Sequence, residues 1–135
     1  MKTYRFELMV NTEEREQFLN LSYEVEECVR RSHVVDGICI VCSQHTTSAV
    51  FLENDREELY EDWMRLLNKL VPAESSYKVD YIPAGAAHMK QMLLGSSVTV
   101  PVSDGRLDLG QHQFIMYGDF DGCRDKIVLV KIIGE

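Results

Sequence analysis

Ser97-Val98-Thr99-Val100-Pro101, then Asp104-Gly105-Arg106-Leu107-Asp108-Leu109-Gly110-Gln111-His112-Gln113, then Gly118-Asp119-Phe120-Asp121-Gly122 form a closing third in which short β-branched runs alternate with glycine-bearing turns. This predicts strands over residues 97–102, over 106 or 107–109 with a continuation around 113–120, and over 126–133. Asp104-Gly105 and Asp121-Gly122 offer the positive-φ residues of tight hairpins.

Working outward, Tyr4, Phe6 and Leu8 alternate with Arg5 and Glu7, the period-two pattern of a half-buried strand over residues 4–10. Residues 18–21 predict a short strand, after which Ser22 is placed to cap a helix carrying Val25, Cys28 and Val29 and ending near His33. Gly37 restarts the chain into Ile38-Cys39-Ile40-Val41-Cys42-Ser43, a strand suited to burial on both faces, with another over 48–52 close behind. Asp55 and Glu58 have capping-box spacing, and Leu59, Trp63, Leu66, Leu67 and Leu70 then recur at helical intervals. Pro72 follows that helix, and the stretch to Pro83 reads as a long loop with one strand around 77–81. Residues 84–94 predict a helix of strong formers that Gly95 terminates. The sum is an α+β fold: a β-rich sandwich or barrel-like core of mainly antiparallel strands, flanked by helices. Strands at both ends of the chain are expected to pair within one sheet system.

The 135 residues fit one domain, 1–135. No apolar run reaches the roughly 18 residues that cross a bilayer, and Met1-Lys2-Thr3-Tyr4 has no apolar signal core, so no membrane role and a cytoplasmic location are expected. A formal charge of −8 opposes a general nucleic-acid role while leaving room for a local anion site. Cys28, Cys39, Cys42 and Cys123 are too irregularly placed for a disulfide scaffold. Cys39-x-x-Cys42 is rejected as a zinc half-site, because strand residues three apart face opposite ways.

Chemistry concentrates at three histidines and an acidic pair. His45 opens His45-Thr46-Thr47-Ser48 at the end of a strand, where the hydroxyls can bond a ligand oxygen while the imidazole moves a proton or binds a metal. The alternative is a turn satisfied by its own hydroxyls. His88 falls early in an Ala-rich helix whose N-terminus favours an anion, or is a packing residue there. His45, His88 and His112 could together hold a catalytic zinc only if the fold gathers them, since none has chelating sequence spacing. Asp119 and Asp121, two apart on a strand, could hold Mg²⁺ or divide acid and base roles, although Asp121-Gly122 is also ordinary turn chemistry. The acidic run from Glu57 to Asp62 reads as a solvated face.

In order and spacing, Gln44-His45-Thr46-Thr47, Ala87-His88-Met89-Lys90 with Leu94-Gly95, Gly105-Arg106-Leu107-Asp108-Leu109-Gly110, and Phe120-Asp121-Gly122 followed by Val130-Lys131-Ile132-Ile133-Gly134-Glu135 resemble the YjbQ-like family, over essentially the whole chain. The resemblance implies a compact sandwich or barrel-like core, a homotrimer with sites near subunit contacts, and thiamine-phosphate synthase activity. In that transferase reaction a pyrimidine methyl diphosphate joins a thiazole phosphate and pyrophosphate leaves. The family's His-Thr-Thr histidine falls on His45, its helix histidine on His88, its late glutamine on Gln113 and its Glu-Phe-Asp-Gly on Asp119 to Gly122. His112 stands where the family carries tryptophan, and Ala84-Gly85-Ala86-Ala87 replaces Asn-Ala-Asp-Ala before His88.

The expectation is therefore an enzyme acting on a small phosphorylated or anionic metabolite. His45, His88 and Asp119 would be catalytic, with Thr46, Thr47, Ser48 and Gln113 binding the ligand, and zinc or Mg²⁺ is the cofactor to be tested. A non-catalytic trimeric metal- or ligand-binding protein and a metal-dependent hydrolase are the alternatives.

Overall fold

β1 (Lys2–Val10) keeps the alternation its sequence predicts and pairs antiparallel with β8 (Lys126–Gly134), Lys2 opposite Gly134 and Val10 opposite Lys126. This joins the two ends of the chain in one sheet. The computed structural model describes residues 1–73, 77–78 and 84–135. Between β1 and β8 lie β2 (Gln17–Asn20), α1 (Ser22–Ser32), β3 (Gly37–Ser43), β4 (Ser48–Glu53), α2 (Glu57–Leu70), α3 (Ala84–Leu94), β5 (Ser97–Ser103), β6 (Arg106–Leu107) and β7 (Phe114–Asp119). The strands form a five-stranded sheet, β1-β8-β3-β5-β6, and a three-stranded sheet, β2-β7-β4, antiparallel throughout. The fold is α+β.

Strand alternation decides what each layer buries. Cys39, Val41, Val100, Val102, Val128, Val130 and Ile132 point from the large sheet into a core shared with Val50, Ile115 and Tyr117 of the small sheet. Val25, Cys28 and Val29 of α1 close that core from the side. The opposite face of the small sheet offers Phe18, Ala49 and Phe120 to Leu67 of α2 and Ala87 of α3. Trp63 stands edge-on to Phe18 and Phe51 there, geometries that favour aromatic pairs. Each fully buried large aliphatic side chain contributes roughly 1.5–3 kcal/mol relative to exposure.

Several sequence expectations change. Ser22 does not cap α1: residue 21 holds the cap position, and the Ser22 hydroxyl accepts the Ile115 N–H at 2.8 Å, tying the helix to β7. The Asp55–Glu58 capping box is absent too. Arg56 is the cap residue, while Asp55 accepts from the Tyr60 hydroxyl and, at 2.9 Å, from Asn20. β3 is buried on one face only, Ile38 being 40% exposed and Ile40 and Cys42 half-buried. Cys28 and Cys39 are buried, and burial pushes the Cys39 thiol up to about 12.

Asp104-Gly105 makes its hairpin, with φ of 52° and 78°. Asp121-Gly122 does not, because β7 and β8 belong to different sheets and the positive φ falls on Cys123. Gly122 is needed for space: a Cβ there would stand 2.0 Å from Thr12 Oγ1. The strand expected around 77–81 lies largely outside the described residues. Within the described part, the Tyr77 hydroxyl donates to the Pro72 carbonyl at 2.7 Å.

Candidate functional site

The end of β3, the loop into β4 and the start of β8 converge on a buried polar network. Lys126 takes the first inward-facing position of β8, ahead of Val128, Val130 and Ile132, and is 1% exposed. Its ammonium donates to Asp119 Oδ1 at 2.7 Å and to Thr47 Oγ1 at 2.8 Å. Asp119 Oδ1 also accepts the Asp121 N–H at 3.1 Å, and Oδ2 accepts the Tyr117 hydroxyl at 2.8 Å. Burial, with Asp119 beside it, raises the Tyr117 hydroxyl's pKa, so it remains a donor. Every charge in this network is matched. Desolvation of the pair is offset by several hydrogen bonds in a dry site where each is strong.

The loop is pinned at two further points. Ser43 Oγ and Ser48 Oγ lie 2.6 Å apart, and Ser43 Oγ also accepts the His45 N–H at 3.2 Å. The Phe120 N–H donates to the Thr47 carbonyl at 3.1 Å. His45 is held by the sheet itself. One step beyond the Ser43–Val128 pair, the Gln44 N–H donates to the Ile127 carbonyl at 3.0 Å, as the next antiparallel rung requires. A regular rung would return the Ile127 N–H to the Gln44 carbonyl. Here that N–H donates instead to His45 Nε2 at 3.1 Å. The His45 pKa is lowered, first by desolvation and then by the positive charges of Lys126 and Arg124, with Asp119 opposing. Arg124, exposed in the connection from β7 to β8, donates to Asp121 at 3.0 Å.

The fold thus brings together His45, Thr47, Ser48 and Asp119, with Thr46 exposed beside them. Ser48 and Asp119 face each other across β4 and β7. Gln113 and His112 are elsewhere. They precede β7, whereas Asp119 ends it, a separation of about 20 Å at roughly 3.3 Å per residue. Gln113 Oε1 closes its own turn by accepting the Gly110 N–H at 2.8 Å, and His112 is exposed on that turn. His88 is half-buried on α3, one residue beyond Ala87, which shares the smaller core with Ala49 and Phe120.

Among the described residues, no three His, Cys, Asp or Glu side chains are grouped to hold an ion. The expected zinc set of His45, His88 and His112 is therefore not assembled within one chain, because β7 separates His112 from the His45 end. Asp119 and Asp121 do not form an open carboxylate pair either. Asp119 is committed to Lys126 and Tyr117, and Asp121 to Arg124 and, at 3.6 Å, to Arg15.

Sequence reasoning missed Lys126, Tyr117, Ser43 and Arg124. Lys126 had a readable signal, since it occupies an inward position of a strand whose other inward positions are Val128, Val130 and Ile132. A charge there implies a buried partner. Lys90 is a second such lysine, in an Ala-rich helix, donating to Glu16 and Asn68, each at 2.6 Å, with its ammonium 5.8 Å from the Phe120 ring centroid. A cleft of about 470 Å³ beside Glu16 is lined by Glu14, Glu57, Glu61, Phe18 and Tyr60, a negative surface unlike the His45 loop.

Two antiparallel sheets packed face to face, with two helices over the smaller and a lysine-centred polar network at one end, define a small α+β protein with a strand-end site. The chain belongs to the family described as UPF0047 protein YjbQ-like, which matches residues 6–135. It is 39% identical to a UPF0047 protein of Archaeoglobus fulgidus over 94% of this chain and 99% of that relative. To UPF0047 protein YugU of Bacillus subtilis it is 30% identical, over 94% and 97% of the two chains. A solved YbjQ-like protein of unknown function from Sulfolobus solfataricus superposes with a TM-score of 0.94 at 28% identity, covering 99% of both chains. An uncharacterised family member from Clostridium acetobutylicum gives 0.88 at 35% identity, over 95% of this chain and 99% of that one. Among the described residues no helix is long and apolar enough to cross a membrane.

Proposed function

We propose that this protein binds and transforms a small phosphorylated or otherwise anionic metabolite in the cytoplasm, using His45 of the β3–β4 loop and His88 of α3. One observation carries the reading: the Lys126–Thr47 and Ser43–His45 hydrogen bonds hold the strand-end loop in one arrangement while the Thr46 hydroxyl is left exposed and the His45 ring only half-buried at its surface. A rigid strand-end loop with hydrogen-bond donors is suited to an oxyanion. The finest form of the reading is thiamine-phosphate synthase chemistry, in which such donors would meet the departing pyrophosphate.

A homotrimer is part of the proposal. It is supported by apolar surface that one chain leaves uncovered: Met9 and Ile38 on the outer face of the large sheet, and Leu66, Leu70, Met92 and Leu93 on α2 and α3. Asp119 favours a second, non-catalytic reading. The carboxylate expected to serve as acid or base is fully engaged, which suits a protein that holds its ligand without turning it over.

Calorimetric titration with inorganic phosphate and pyrophosphate tests binding, and assay of pyrophosphate release from the pyrimidine and thiazole substrates tests transfer. Binding by the wild type with turnover lost in His88→Ala supports the enzyme, and equal rates remove His88 from it. Binding without turnover selects the ligand-holding reading. No binding of either anion ends both. Light scattering should give three times the chain mass, and a monomeric mass ends the trimer.

A further inference from the structure

His45 takes the place of a backbone carbonyl in the last rung between β3 and β8, and this fixes which of its nitrogens carries the proton. The Ile127 N–H can donate only to a bare nitrogen, so Nε2 is unprotonated and the neutral ring carries its hydrogen on Nδ1. Protonating Nε2 would set two donors against each other and leave the half-buried Ile127 N–H without an acceptor. The rung is itself held in place. Lys126, the residue before Ile127, is locked between Asp119 and Thr47, and the Gln44 N–H bonds the Ile127 carbonyl on the same side.

We infer that His45 is a fixed Nδ1–H donor tautomer whose role is to hydrogen-bond an oxyanion, and that it is neither a general base nor a metal ligand. A base needs a lone pair facing its substrate, and the only lone pair of this ring is spent on Ile127. A metal-bound histidine donates its second ring N–H to an acceptor, whereas the second nitrogen here faces a donor; a metal on Nδ1 would demand an imidazolate. A neutral imidazole N–H remains, which polarises a phosphate or carbonyl oxygen without transferring its proton. Lys126, behind Ile127, is accordingly a positioning residue for His45. The oxyanion part of this inference rests on the proposed function; the tautomer does not.

Long-range proton–nitrogen spectra of the full chain labelled at histidine nitrogen read the tautomer directly. The expected result is a His45 ring with a protonated Nδ1 and a bare, hydrogen-bonded Nε2, unchanged by added Zn²⁺ and shifted at Nδ1 by inorganic phosphate. The opposite tautomer, or Zn²⁺ binding on His45, overturns the inference. His45→Gln supplies an independent arm, because its amide oxygen can still accept from Ile127 while the Nδ1–H is gone. It should keep the wild-type melting temperature and bind phosphate about tenfold or more weakly. Undiminished phosphate binding overturns the donor role. The predicted tautomer in a wild type that binds no phosphate or pyrophosphate would defeat the proposed function while leaving the tautomer assignment standing.

Discussion

Among the described residues the protein buries two lysines, Lys126 and Lys90, and surrounds them differently. Lys126 and its partner Asp119 are both fully buried, and three further groups complete their shell. Lys90 is equally hidden, but its partner Glu16 keeps 29% of its side chain in solvent. The first lysine sits within the sheet system and sets the geometry of the loop that carries His45. The second draws α3 against Asn68 of α2 and Glu16 of the β1–β2 connection. A charge sealed on every side fixes atoms to one arrangement; one with a wet partner fastens elements while leaving the partner an escape to water.

The largest effect should therefore come from Lys126→Met, which strands Asp119 as an uncompensated buried charge and should cost about 3–5 kcal/mol in denaturant unfolding. The double variant Lys126→Met with Asp119→Leu should recover much of that loss, since no charge is left behind. Lys90→Met should cost less, about 1–3 kcal/mol, because Glu16 can rehydrate. Equal losses for the two single lysine variants would show that partner exposure does not decide the matter. Ser43→Ala should cost about 1 kcal/mol by removing the hydroxyl contact with Ser48 and the acceptor of the His45 N–H.

Acid should act at the Lys126 end too. The His45 pKa is lowered in the folded chain, so the unfolded chain binds more protons there as pH falls below its ordinary value of about 6.5. The His45 contribution to stability is thus present above that pH and is lost on acidification toward the lower folded value. His45→Gln should flatten this part of a melting-temperature profile against pH. The smallest stability effect belongs to Arg124→Ala, within about 0.5 kcal/mol for an exposed partner of Asp121. Its consequence should appear in phosphate titrations instead.

Legibility from sequence followed the range of the interaction. The alternation of Tyr4, Phe6 and Leu8 and the inward run Val128, Val130, Ile132 state which face of each strand is buried, and both strands are where that rule puts them. Asp104-Gly105 encodes its own turn by local φ preference. Asp121-Gly122 looks the same in sequence, yet its glycine exists to clear Thr12, more than a hundred residues away, which no local rule can report. Ser22 and Asp55 failed as caps for the same reason, each being drawn to a distant partner, Ile115 or Asn20. At the site, His45, Thr47, Ser48 and Asp119 were legible as polar groups near strand ends. The commitment of Asp119 to Lys126 and of His45 Nε2 to a backbone N–H depends on packing between strands.

The place of β8 bears on how the molecule comes into being. It lies between β1 and β3 in the large sheet, so neither of those early strands can complete its hydrogen bonding until residues 126–134 have been synthesised. Growing on a ribosome, the chain must hold β1 and one edge of β3 unpaired until β8 is made. Such long-range pairing is slow and leaves strand edges exposed meanwhile, so completion of this sheet is a late step during which those edges are open to wrong partners.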